Sequence, residues 1–260
     1  MKKDFEIILK SKNKENNNNN NNIYIGILYC GEIQIESLIK SIIQSSSYAK
    51  IYSINIYVVG YHKNLEAHQK LYRWFNKHNN QHRLKLDADM TIKKDTIKKL
   101  ILNKKNHRII YPVYDFITKT KIYGVHYIPP FHSLDYQKIT KRFPDYLNDY
   151  FEIKKESIGI SHCERATKDQ ILNFIIHRLG KLFDCKFKMK LGYLKIILKA
   201  TIVNYKLIYK HLSYIFFSTF KIILQNKNYK NLESNSELDK NKLKEKWKNY
   251  LLSNTSFQSE

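Results

Sequence analysis

Between residues 23 and 101 short apolar runs alternate with stretches of helical spacing, and no other feature of the chain limits its fold so tightly. IYIGILY (23–29) is apolar at almost every position, the pattern of a strand covered on both faces. Ile35, Leu38, Ile39 and Ile42 then recur on one helical face, and SSS (45–47) ends that helix. INIYVV (54–59) reads as a second strand. Leu65, Leu71, Tyr72 and Phe75 mark a second helix, closed by the Asn-rich NKHNNQ. Arg83–Asp87 is a third strand with Leu84 and Leu86 on one face. Ile92, Thr96, Ile97, Leu100 and Ile101 fit a third helix, and RIIYPV (108–113) and IYGVHYI (122–128) are further strands. This order predicts an α/β fold with an open, mostly parallel sheet flanked by helices. Such sheets bind ligands at the carboxyl ends of their strands.

The alternation also sets the boundaries. Residues 1–22, with seven asparagines at 16–22, read as a disordered tail, because a polar tract cannot build a core. Residues 23–184 form the α/β domain, and residues 185–260 a basic, mostly helical extension. Within the domain, Thr167-Lys-Asp-Gln170 reads as a capping box that opens a helix through Ile171, Phe174, Ile175, Arg178, Leu179 and Leu182.

RLKLDADMTI (83–92) places Asp87 and Asp89 at the carboxyl end of the third strand. Two carboxylates so placed can converge on a hard cation, Mg2+ or Mn2+, that keeps positions open for phosphate oxygens. Such an ion neutralises the charge that develops on a departing phosphate. The alternative is a pair of solvated loop acids. The formal charge of +23, from 46 basic against 23 acidic residues, implies an anionic partner: a phosphorylated ligand, an acidic membrane surface or nucleic acid.

The run IYIGILY, ESLIKSIIQ, INIYVV and KLDADM resembles the family 2 glycosyltransferases, whose nucleotide-sugar-binding domain has the GT-A fold. YPVYDFITKTKIYGVHYI (111–128) and SHCERATKDQILNFIIHRLGKL (161–182) extend the resemblance to transferases of bacterial surface polysaccharide and lipopolysaccharide. It spans residues 23–183 and departs from the family at VVGYHKN (58–64), where an acidic pair is usual. The resemblance implies transfer of a sugar, with inversion, from a nucleotide-diphosphate donor to a glycan or lipid-linked acceptor, with Asp87 and Asp89 at the metal and diphosphate. It implies His162 as a third metal or diphosphate contact, the alternative being a surface histidine. Arg178 would pair with the diphosphate or cover a helix face. Tyr61 would stack on the base or serve in packing. The acceptor's general base falls to Asp145 or Asp149 in KRFPDYLNDYFE, with Glu152 next.

Cys185–Leu224 contains eight lysines and no acid, threaded through Tyr, Phe, Ile and Leu. Basic, aromatic-rich helices of this kind lie on anionic membrane surfaces, and the alternative is a pair of ordinary helices packed on the domain. A non-catalytic scaffold of the same fold is a second functional reading. No nucleic-acid-binding signature supports a third. Three widely spaced cysteines, Cys30, Cys163 and Cys185, suit a reducing compartment. With no apolar leader in the first 22 residues and no run of about 18 apolar residues, the expected location is cytoplasmic, peripheral on the inner leaflet.

Overall fold

The computed structural model describes residues 4–11, 22–60, 62, 64–103, 105–137, 139, 145, 147, 149–184, 187–225 and 257–259. A ten-stranded sheet organises them. Its parallel centre is β3 (Ser53–Gly60), β2 (Asn22–Tyr29) and β4 (His82–Asp87), in that order. These are the three apolar runs of the sequence, and Ile23, Ile25, Ile27, Ile54, Ile56, Leu84 and Leu86 are all buried. α1 (Ile35–Tyr48) packs on one face through Leu38, Ile39 and Ile42, and α2 (Asn64–Lys77) covers the other through Leu71 and Phe75. The close approach of α2 explains Gly26 in mid-strand: a Cβ there would land on Leu71 and lie 2.8 Å from Phe75 Cζ.

Outside this centre the sheet departs from the expected mostly parallel form. β7 (Thr120–Ile128) joins β4 antiparallel, and β6 (Arg108–Asp115) pairs antiparallel with β7 as a hairpin. The physical reason is the short FITK connection at 116–119, which permits a hairpin but not the long crossover that parallel pairing needs. β5 (Met90–Ile92) takes Ile92 out of the expected third helix, which is the shorter α3 (Thr96–Ile101). β8 (Phe151–Ile153) and β9 (Ile160–His162) both lie parallel to β6, and β9 also pairs antiparallel with β5.

The expected tail at 1–22 needs correction. Phe5–Ser11 form β1, antiparallel to β3, with Phe5 and Leu9 buried; β10 (Phe257–Ser259) pairs with it. Alternation in FEIILKS supplies the apolar face that a strand at this position needs. The asparagine run is described only at Asn22, which begins β2. Beyond β9 come α4 (Lys168–Asp184), α5 (Phe187–Val203), α6 (Tyr205–Lys210) and α7 (Leu212–Gln225). α4 opens as the sequence indicates. Thr167 Oγ1 accepts from Gln170 N at 3.2 Å, and Gln170 Oε1 accepts from Thr167 N at 2.9 Å.

Candidate metal and phosphate site

Asp89 sits in the turn between β4 and β5, and β5 decides what faces it. The β5–β9 ladder sets Met90 opposite His162, and Cys163 N donates to Asp89 O at 2.9 Å. The backbone thereby folds the SHCER segment onto the DAD turn. Cys163 and Arg165 both take positive φ in this loop, 55° and 63°. His162 Nε2 lies 3.3 Å from Asp89 Oδ2, and the Cys163 thiol donates to the same oxygen at 3.1 Å. Asp89, His162 and Cys163 together present an oxygen, a nitrogen and a sulfur within 4.8 Å of one another.

Asp115, at the end of β6, stands behind the histidine. Its Oδ1 pairs with His162 Nδ1 at 2.7 Å, while Oδ2 accepts from Thr118 N and Thr118 Oγ1 at 2.8 and 2.5 Å. A carboxylate on Nδ1 fixes the ring so that Nε2 faces Asp89, the arrangement by which proteins orient a metal-binding imidazole. Burial would lower the pKa of His162, but Asp89 and Asp115 hold it well above its ordinary value. Burial would raise Asp89, and His162 and Cys163 bring it down to about 2. The Cys163 thiol is pushed up to about 12 by burial, so it stands as a hydrogen-bond donor.

Asp89 Oδ1 is the informative atom. It is buried and, among the described residues, has no hydrogen-bond partner. A buried carboxylate oxygen left bare is costly, and a cation there would satisfy it. The residues present therefore fit a divalent ion, with Asp89 and His162 as its oxygen and nitrogen donors.

Asp87 is placed differently. It ends β4, its side chain is about one-third exposed (37%), and Lys85 Nζ lies 3.5 Å from its Oδ1. It lies outside the Asp89–His162–Cys163 cluster. A third carboxylate, Glu32, comes from the turn after β2. Its pKa is raised to about 8 by burial and by the negative charge of Asp89, with a smaller contribution from Asp87. Gly31, at φ 101°, makes the turn that aims it, and Cys30 N donates to its Oε2 at 2.6 Å.

Cations come from α4. The Arg178 guanidinium stacks on Phe174, 3.6 Å from the ring centroid, and its buried Nε has no hydrogen-bond partner among the described residues. Burial lowers its pKa, against the fields of Asp115, Tyr193, Cys163 and Asp89. One turn on, Lys181 is brought down to about 8 by burial and by Arg178. Gln34, just after Glu32, exchanges two amide hydrogen bonds of 3.0 Å with Gln170, so the first turn of α4 is tied to the loop that carries Glu32.

The two carboxylates expected as the acceptor's base are both engaged in ion pairs. Asp149 binds Arg108 through two bonds, Nη2–Oδ1 at 2.7 Å and Nε–Oδ2 at 2.8 Å, and His132 Nε2 lies 2.8 Å from the same Oδ2. Asp145 takes Lys85 Nζ at 2.9 Å and the Tyr72 hydroxyl at 3.0 Å. Burial would raise Asp145, yet Lys85 and His68 hold it well below the carboxylate range, which makes it a poor proton acceptor. Arg108 and Lys85 are buried sheet residues, and the acids of the 129–150 segment neutralise them. Glu152 pairs with Lys154 and His107 at 2.6 and 3.2 Å. Tyr61, expected at the base, lies outside the described residues.

Reasoning from sequence missed Asp115, Glu32, Cys163 and Lys181. Asp115 did carry a signal: DFIT after a strand is the spacing by which an aspartate caps a turn, with Thr118 three residues on. Glu32, in CGE, is the first acid past the first central strand, at the same sheet edge as the DAD turn.

No protein-family model matches the sequence, and no curated protein matches it.

Proposed function

We propose that the chain is a metal-dependent sugar transferase of the GT-A kind. It would take a nucleotide-diphosphate sugar as donor and a glycan or lipid-linked acceptor in surface-polysaccharide assembly. The observation that carries this reading is the buried Oδ1 of Asp89, unpartnered among the described residues, beside an imidazole already oriented by Asp115. Asp89 and His162 would hold Mn2+ or Mg2+, and such an ion supplies charge neutralisation to a departing diphosphate. Asp87, at the rim, is within reach of the donor, and Arg178 and Lys181 give the phosphates positive partners from α4. Asp115 keeps Nε2 of His162 directed at the site. Membership of family 2 and inversion at the sugar rest on the resemblance of the sequence segments.

A second reading, a nucleotide-binding scaffold without transfer, draws on the pairing of Asp145 and Asp149, which takes both expected bases out of use. One titration series separates the two. Nucleoside diphosphates and nucleotide sugars are titrated with and without Mn2+, Mg2+ or Zn2+, and sugar release is followed in the same samples. The transferase reading expects cation-dependent binding with turnover, both lost in Asp89→Asn and His162→Gln. Binding without turnover supports the scaffold, and cation-independent binding that survives both substitutions sinks the transferase.

A further inference from the structure

The helices after α4 present apolar side chains to solvent as well as to the domain. On α5, Ile197 and Ala200 are buried, while Leu191, Leu194, Leu198 and Ile202 form an exposed stripe at i, i+3, i+7 and i+11. On α7, Ile215 and Thr219 are buried, while Leu212, Phe216, Phe220 and Ile223 make a second exposed stripe. Phe216 and Phe217 are 66% and 69% exposed, and on α6 between the stripes Tyr209 is 78% exposed. A surface helix with one partner normally shows one apolar face. Aromatic and aliphatic surface of this extent marks a docking site.

Charge narrows the occupant. Residues 185–224 hold eight lysines and no acid, and Lys195 and Lys199 lie in the same arc of α5 as Leu194 and Leu198. A second copy of the chain would set one lysine-rich face against another. Duplex nucleic acid would engage the lysines and leave the phenylalanines in water, and a single strand would stack bases on the rings yet leave the aliphatic stripe of α5 in water. An anionic lipid surface satisfies both, because acyl chains accept the aromatic and aliphatic stripe while lysine stems carry their charges to the headgroups. Among the described residues no helix is long and apolar enough to cross a membrane, which suits helices that lie along it.

We infer that α5–α7 form an in-plane docking surface for anionic phospholipid, with the exposed stripes of α5 and α7 inserted and the lysines at the headgroups. This rests on the helices alone and stands whether or not the chain transfers sugar.

The test is co-sedimentation of the full chain with phosphatidylcholine vesicles, with and without phosphatidylglycerol. Binding should be at least about tenfold stronger with the anionic lipid and should weaken as salt rises. Two variants divide the surface: Phe216→Ser with Phe217→Ser and Phe220→Ser, and Lys195→Glu with Lys206→Glu and Lys210→Glu. All six side chains are exposed, so circular dichroism and melting temperature should match the parent while vesicle binding falls about tenfold in each. Asp89→Asn should bind vesicles like the parent, which separates this outcome from a failure of the transferase reading. Equal binding to neutral vesicles, or none to either, overturns the inference. So does a dimer in light scattering that the serine variant dissolves, or salt-sensitive binding to RNA or DNA in place of vesicles.

Discussion

Asp149 and Asp89 are both largely buried carboxylates, 7% and 17% exposed, but they meet opposite surroundings. Every oxygen of Asp149 is paired, chiefly with a fully buried arginine. Removing it would leave Arg108 charged and unmatched in the interior, so Asp149→Ala should lower unfolding free energy by about 3–5 kcal/mol in urea titration. A cost below about 1 kcal/mol would mean that the pair is solvated in solution. Asp89 has one oxygen engaged and one without a partner among the described residues, so its loss should be felt in cation binding far more than in stability. Asp115 is predicted to act through His162. Asp115→Asn should weaken Mn2+ binding about 10- to 100-fold by calorimetry, the usual effect of an outer partner on a metal-bound imidazole. Unchanged affinity would show that His162 is not a ligand.

At the scale of elements, α4 is where local sequence and tertiary position agree. Its capping box is reciprocal, and Gln170 also reaches Gln34. Thr167→Ala should therefore cost about 1 kcal/mol from the cap alone. Gln170→Ala should cost more, since it removes the cap and leaves the buried Gln34 without the donor to its Oε1 and with only the longer bond from its Nε2 to Arg165 O, at 3.4 Å. If the two substitutions destabilise equally in thermal melts, the Gln34 link contributes nothing. The same comparison shows why parts of the fold were legible and others were not. β2, β3, β4 and α4 carry their signals within a dozen residues: apolar runs, helical spacing and a cap. β5 and β9 are three residues each and exist because they pair with each other across about seventy residues, a contact that no local pattern announces. The site follows the same division. Asp87 and Asp89 stand out beside a strand end, whereas Asp115 reaches the site because β6 pairs with β9, and Glu32 because β2 lies beside β4. Asp145 and Asp149 looked available in sequence because the partners that occupy them, Lys85 and Arg108, lie dozens of residues away in β4 and β6.

For the whole molecule, the buried histidines make stability depend on pH in a way that can be worked out in sign. His126 is brought down to about 3, first by burial, and accepts a hydrogen bond from Arg108 on Nδ1 at 2.9 Å; His177 is brought down to about 4, first by burial. Burial also lowers His78 and His82. Groups depressed in the folded state give stability that is complete above the unfolded value near 6.5 and is lost as pH falls toward the folded one. Each such group contributes a slope of up to about 1.4 kcal/mol per pH unit. Glu32, raised to about 8, works in the opposite direction across this window, since its folded state keeps a proton that the unfolded chain gives up near 4.5. The histidines outnumber it, so stability falls below pH 6.5. Above 6.5 the balance changes. His162, raised by Asp89 and Asp115, gives stability that is complete below 6.5 and is lost as pH rises through its folded value; Glu32 adds to that loss up to about 8, and Lys181, brought down to about 8, offsets part of it only as pH nears 8. The cation-free protein should therefore melt highest near pH 6.5 and lower on either side. A calorimetric scan in chelator from pH 4 to 8 measures this directly, and His177→Leu should make the acid limb shallower. A melting temperature that climbs steadily from pH 6.5 to 8 would mean that His162 does not hold its proton between Asp89 and Asp115, and the electrostatic account of the site would have to be abandoned with it.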